Sequence, residues 1–351
     1  MLPRRPLERC RDYATEFVVE EQICSGSYGT VYRARDKTSG RLVALKALHF
    51  TEGYGGFPYF MLREILFLLR LDHPNIIRGL LPAMQPKEEG HGFQFYVVME
   101  FVAWDLSRVL YFHQHQPSQQ SSQQSSQPSQ QLLSQQLSSQ HFSLGMIKSI
   151  LLQLLAAVQY LHQLNLLHRD LKPSNILLTA EGCLKVADLG SVRDADRKTL
   201  TLTADVTTMA YRSPELLLQS PVYTSSVDIW SIGCIFYELL AYRVLFNASN
   251  EPRTLVAIID TKGSPPSDVW DRCFSSLPGL DHPQPLILAA LDANPLPKDI
   301  CEPSLADSPL GSELLEHMLK WDPAARISVE SALAHPFFLQ DPAPQTALPP
   351  L

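Results

Sequence analysis

Ile23-Cys24-Ser25-Gly26-Ser27-Tyr28-Gly29-Thr30-Val31 sets two glycines between strand-like runs, and Lys46 follows in Val43-Ala44-Leu45-Lys46. Glycines in a hairpin let backbone N–H groups come close to a phosphate, and a lysine on the next strand adds a point charge for its oxygens. Taken alone, the same pattern also reads as an ordinary β-turn. It does not open a helix, so it is not the dinucleotide-binding fingerprint. A second constellation, Leu167-His168-Arg169-Asp170-Leu171-Lys172-Pro173-Ser174-Asn175-Ile176, is followed by Lys185-Val186-Ala187-Asp188-Leu189-Gly190. Each of its acidic and amide residues could be a turn cap, since Asp and Asn cap turns everywhere. Their order and spacing, with Lys46 upstream and Ser213-Pro214-Glu215 downstream, leave coincidence little room.

Short β-rich runs at residues 17–23, 30–34, 42–48 and 93–100 precede this string, with one helical pattern at 61–71 among them. After it the signals are helical. Ile147, Ile150, Leu151, Leu154, Leu155, Val158 and Leu161 keep the spacing of one helix face, and further patterns cover 225–240, 253–261 and 312–319. The expected fold class is therefore α+β, a small antiparallel β-rich lobe with one key helix followed by a larger, mostly helical lobe. The crevice between two such lobes is a natural small-ligand site.

The chain has 351 residues, 45% of them hydrophobic, enough for a substantial core. With 29 basic and 36 acidic side chains, its net charge of −7 is opposite in sign to that of a general nucleic-acid binder. Six scattered cysteines form no C-x-x-C pair, which suits a reducing, intracellular setting. The most apolar stretch, 147–161, is broken by Lys148, Ser149, Gln153 and Gln159, so no membrane span is expected. Between Gln114 and Gln140, 21 of 27 residues are Gln or Ser and none is charged, the composition of a surface insertion; an interaction tract is the alternative. Residues 341–351 hold four prolines and read as a tail.

His168-Arg169-Asp170, Lys172, Asn175 and Asp188 in Asp-Leu-Gly match the catalytic-loop and metal-binding motifs of the protein kinases, and the resemblance runs from about Tyr13 to Phe338. It implies an N-terminal tail 1–12, a kinase domain 13–338 (N-lobe 13–99, hinge 100–105, C-lobe 106–338, insertion 114–140) and a tail 339–351. Asp170 would orient a substrate hydroxyl and accept its proton, and Lys172 would neutralise charge on the γ-phosphoryl of ATP. Asn175 and Asp188 would hold Mg²⁺, which prefers hard oxygen ligands. Glu64 would pair with Lys46. Ile23, Cys24, Ser25, Gly26, Ser27, Tyr28, Gly29 and Thr30 would cover the phosphates, Val31 and Ala44 would roof the adenine, and Met99 would be the gatekeeper. Glu100 and Val102 would offer backbone groups to adenine, and Asp105 would face the ribose.

Gly56-Phe57-Pro58-Tyr59-Phe60-Met61-Leu62-Arg63-Glu64 resembles the cyclin-facing helix of the cyclin-dependent kinases, with its middle departing from the best-known form. Thr203 falls where these kinases carry an activating phosphothreonine, and Arg63, Arg169 and Arg193 match the arginines that clamp it. Asp205 stands where mitogen-activated kinases have tyrosine. Val206, Thr207 and Arg212 match a pocket for proline after the phosphoacceptor, though Ala210 replaces the usual tryptophan. Arg326 matches the partner of Glu215. Residues 110–113 and 146–153 resemble the Mediator-associated members. The resemblance thus implies a serine/threonine kinase for Ser/Thr-Pro sites that uses ATP and Mg²⁺. It implies a cyclin partner, Mediator components as a further association, a nuclear location with the cytoplasm as the alternative, and neither direct nucleic-acid nor membrane binding. A mitogen-activated-type kinase needing no cyclin and a pseudokinase scaffold are the alternatives.

Overall fold

Val43, Leu45 and Ala47 alternate with Ala44 and Lys46, and a strand of period two sends these sets to opposite faces. In the computed structural model the first set joins Phe17, Ala34, Leu81, Ala83, Tyr96 and Val98 in one buried cluster. The structure describes residues 10–26, 29–49, 59–86, 93–114, 142–179, 181–194, 206–275, 277, 285–296, 300, 302–306 and 308–345. They fall into two units, 1–103 with 185–191, and 104–184 with 192–351.

The first unit is built on a six-stranded sheet: β1 (Arg11–Asp12), β2 (Phe17–Gly26), β3 (Gly29–Asp36), β4 (Leu42–Leu48), β5 (Gly79–Pro86) and β6 (Phe93–Glu100). Their order is β1-β5-β6-β4-β3-β2, antiparallel except for the short β1 beside β5. The four expected strands are present. β1 and β5 are the additions; β5 was hidden in the sequence by Pro82 and Pro86, and it tolerates a missing donor because β1 pairs only with its Ala83 and Met84. Helix α1 (Tyr59–Arg70) packs on β5, with Glu64, Phe67, Leu68 and Leu69 buried. Residues 185–191 join this unit where Val186 N–H donates to Asn75 O at 2.8 Å and Ile77 N–H to Val186 O at 2.8 Å.

The second unit is mostly helical, with α2 (Leu106–Gln114), α3 (Leu144–Gln163), α4 (Ser226–Ala241), α5 (Glu251–Lys262), α6 (Pro285–Ala293) and α7 (Pro309–Met318), so the α+β class holds. α3 starts three residues before the expected 147 because the Ser143 hydroxyl caps it, accepting from Met146 N–H at 3.2 Å. It is long and apolar enough by composition to cross a membrane, yet here Ile150, Leu151, Leu154, Leu155, Val158 and Leu161 are wholly buried in the core. Short strands at Leu166–Leu167 and Arg193–Asp194 pair antiparallel, as do Trp104–Asp105 and Ile176–Leu178.

Tyr242, at a left-handed φ of 52° beyond α4, takes up both described flanks of the Gln/Ser insertion. Its carbonyl accepts from the Gln114 amide, its hydroxyl accepts from Phe142 N–H, and the His113 ring lies against both Phe142 and Tyr242. Residues 115–140 of the insertion, and His141 after it, lie outside the described residues. The expected tail begins docked on α3: Gln345 N–H donates to Gly145 O at 3.1 Å, and the buried Lys148 ammonium donates to the carbonyls of Gln340 and, at 3.0 Å, Pro342.

Candidate active site

Cross-strand partners share a face, and the register puts Val31, Lys46 and Val97 in one row and Ala44 beside Met99 in the next. Lys46 is thus held on a dry face with Ala44 and Met99, 9%, 7% and 8% exposed. A buried ammonium needs compensation. Lys46 Nζ donates to Glu64 Oε1 on α1 and, at 3.2 Å, to Asp188 Oδ1. Burial pushes its pKa down, but the carboxylates of Asp188 and Glu64 outweigh this and hold it above the ordinary lysine value, so it stays charged. Asp188 has a left-handed φ of 58°, a region costly for a side-chain-bearing residue. Gly190 follows where a Cβ would stand 3.2 Å from Glu64 Oε2 and 3.4 Å from Asp188 Oδ1.

In the glycine hairpin Cys24 pairs with Val31, Ser25 with Thr30 and Gly26 with Gly29. The hydroxyls of Ser25 and Thr30 are 3.0 Å apart, Cys24 is exposed and Ile23 half-buried. Gly29 has a packing reason of its own, since a Cβ would meet Ala47 O at 2.3 Å. Ser27 and Tyr28 lie outside the described residues. Glu100 is anchored: its N–H donates to Arg78 O at 3.0 Å, and its carboxylate accepts from Arg78 N–H at 2.7 Å and pairs with Lys185 at 3.0 Å. Val102 is half-buried.

In the second unit the carboxylate of Asp170 is oriented by two neighbours. The Asn175 amide donates to its Oδ2 at 3.0 Å and to its main-chain O at 2.8 Å, and Lys172 Nζ lies 3.0 Å from Oδ2. Oδ1 is buried and has no hydrogen-bond partner among the described residues. The main chain beneath is fixed by Asp228, which accepts from His168 N–H at 3.0 Å, Arg169 N–H at 2.8 Å and the His162 ring at 2.9 Å. Burial pushes the Asp228 pKa up, but these hydrogen bonds and the two histidines hold it below the ordinary value. They also sustain the left-handed φ of 66° at Arg169.

Sequence reasoning did not single out Asp228. Its signal was an acid inside the apolar run Val227-Asp228-Ile229-Trp230. Asp105 is engaged as the cap of α2, accepting from the Ser107 hydroxyl and, at 3.0 Å, from Arg108 N–H. Arg326 and Glu215 meet in a buried bidentate pair at 2.6 and 2.8 Å. Of the three expected phosphate-binding arginines, Arg169 is described: its guanidinium donates to the Tyr223 hydroxyl at 2.6 Å. Thr203 and the side chains of Arg63, Arg193, Val206 and Thr207 lie outside the described part.

Taken unit by unit, these are the donor types that a hard divalent cation and phosphate oxygens take. Asn175 spends its amide nitrogen on Asp170, leaving its carbonyl oxygen for a ligand. The Asp188 side chain is 39% exposed beside a charged lysine.

The chain matches the profile of the family described as Protein kinase domain over residues 17–338. It is 34% identical over 342 residues to human (Homo sapiens) Cyclin-dependent kinase 10, covering 97% of this chain and 84% of that protein. Similarity to Cyclin-dependent kinase G-2 of Oryza sativa subsp. indica is 35% over 345 residues, 97% of this chain but 44% of the relative. To Serine/threonine-protein kinase PITSLRE of Drosophila melanogaster it is 35% over 340 residues, 96% and 32% respectively. The chain therefore spans less than half the length of these rice and fly relatives.

Proposed function

This chain belongs to the protein kinase family, with cyclin-dependent kinases among its relatives, and from that premise we propose that it is a cyclin-dependent-type serine/threonine kinase using ATP and Mg²⁺. The observation that carries the reading is the Asp170 carboxylate, pinned at Oδ2 by Asn175 and Lys172 and unpartnered at the buried Oδ1. Oδ1 accepts the substrate hydroxyl's proton and orients its oxygen, while Lys172 brings positive charge to the transferring phosphoryl. Lys46, fixed by Glu64, orients the ATP phosphates. The Val31, Ala44 and Met99 face supplies apolar contact for adenine. Asn175 and Asp188 would hold Mg²⁺, which when bound neutralises phosphate charge.

A cyclin partner is supported by α1. Leu62 and Leu66 lie one helical turn apart and are 44% and 36% exposed, an apolar stripe suited to a partner's helices. Ser/Thr-Pro substrates, activation through Thr203, association with Mediator components and a nuclear location follow from the same family reading. The test is incubation of the purified chain, with and without candidate cyclins, with labelled ATP and Ser-Pro peptides. The expected result is cyclin-stimulated transfer, slowed at least about a hundredfold in Asp170→Asn and losing its stimulation in Leu62→Glu/Leu66→Glu. Equal transfer by wild type and Asp170→Asn overturns the catalytic assignment. Full activity without any cyclin favours the mitogen-activated type, and nucleotide binding without transfer under every condition favours the scaffold. Co-purification and microscopy of the tagged chain check the Mediator and nuclear expectations.

A further inference from the structure

Glu313, His317 and His335 offer one carboxylate oxygen and two imidazole nitrogens, all within 4.8 Å of one another. Glu313 and His317 stand four residues apart on α7, so one helix face presents both. His335 comes from the segment after the short helix Val329–Leu333 and reaches the same place from another element. Among the described residues neither the Glu313 carboxylate nor the His317 ring makes a hydrogen bond or ion pair. The proposed kinase chemistry does not use these three groups.

We propose that Glu313, His317 and His335 form a site for a borderline transition-metal ion, Zn²⁺ being the best match. Two imidazoles and one carboxylate are a zinc donor set, and the exposed position of Glu313 leaves a fourth corner for water. Tetrahedral bonds of about 2.0–2.1 Å bring ligand atoms roughly 3.4 Å apart. The present spread, within 4.8 Å, is wider than that, and the exposed Glu313 is the side chain of the three with most room to close it. His335 is 8% exposed, and burial first, then His317, hold its pKa below the ordinary histidine value despite Glu313, so it offers a neutral ring. One cost is visible: Nδ1 of His335 accepts from Phe337 N–H at 3.3 Å. Metal on Nε2 places the ring proton on Nδ1 and ends that contact, which lies at the long end of the hydrogen-bond range. A bound ion would tie α7 to the turn Pro336–Phe338.

The test uses the full chain, stripped by chelator and titrated with Zn²⁺ against a chromophoric chelator, with Mg²⁺ and a non-hydrolysable ATP analogue present to occupy the nucleotide site. One tight equivalent is expected, weakened at least tenfold by His317→Ala and by Glu313→Gln, with a zinc-dependent rise in melting temperature lost in both. Substituted Co²⁺ should give the intense visible bands of a tetrahedral site in the wild type and in Asp188→Asn. Because His335→Ala also removes a turn cap, the surface variants carry the decision. Zinc binding unchanged in both, or wild-type binding no tighter than that of the double variant Glu313→Gln/His317→Ala, overturns the site.

Discussion

The Asn175 side-chain amide donates to both the carbonyl and the carboxylate of Asp170, at 2.8 and 3.0 Å. One side chain thereby fixes the backbone and the side chain of the proposed base. This relationship leaves Oδ1 as the acceptor, and Asp170→Asn removes its basicity while nearly preserving its shape. Single-turnover phosphorylation should slow by about 10²–10⁴-fold, the usual worth of a positioned general base. Nucleotide affinity, measured by fluorescence titration, should be retained; parallel loss of both would mean that Asp170 is structural.

Arg326 and Glu215 provide a separate test, of stability. The guanidinium is wholly buried, makes two bonds to the carboxylate, donates also to Lys320 O at 2.8 Å and lies over the Trp230 ring. Removing one partner strands the other charge without water. Arg326→Met should cost about 3–5 kcal/mol in urea unfolding, whereas Arg326→Met/Glu215→Leu should recover much of that loss. Additive losses would show that the contacts to the main chain, and not the ion pair, dominate.

How much of this was legible in the sequence depended on where each residue's constraint came from. The β-rich run 42–48 read as a strand, and its ends match those of β4, while the facing of Lys46 away from the core shows only in the folded sheet. The long apolar periodicities of α3 and α4 were equally plain because burial itself wrote them. β5 was hidden by prolines that only its position near the sheet edge makes tolerable. Motif order singled out Asp170 and Asn175, but not Asp228, whose partners are mostly main-chain N–H groups some sixty positions away and leave no pattern in side-chain types. Nor did composition show that the proline-rich tail starts docked on Lys148.

Acid sensitivity should report on Asp228. Its pKa is lowered in the folded chain, against about 3.9 for an unfolded aspartate. The folded state therefore binds this proton less readily than the unfolded state. The resulting stability is present above pH ~4 and is lost as pH falls through the lower folded value. Asp228→Asn should reduce stability at neutral pH by about 1.5–3 kcal/mol, the range for hydrogen bonds to a charged acceptor. It should also flatten the wild-type decline on acidification below pH ~4. Unfolding curves at a series of pH values check both, and an unchanged acid slope would exclude Asp228 as its source.

Gly233 offers a case in which two known effects oppose each other. It lies within α4, where alanine is ordinarily favoured over glycine by about 1 kcal/mol. A Cβ there, however, would stand 2.8 Å from two Leu319 side-chain atoms and 3.0 Å from Met318 Cβ, closer than carbon atoms pack. Overpacking of a filled core costs about 1–3 kcal/mol, so the clash should win. Gly233→Ala is expected to destabilise by up to ~2 kcal/mol after the helix gain is subtracted. Leu319→Ala made in the same chain should relieve the clash, so that the two changes together cost less than their sum. A thermal-unfolding double-mutant cycle measures this coupling, and strict additivity would place the Gly233 constraint elsewhere than at Leu319.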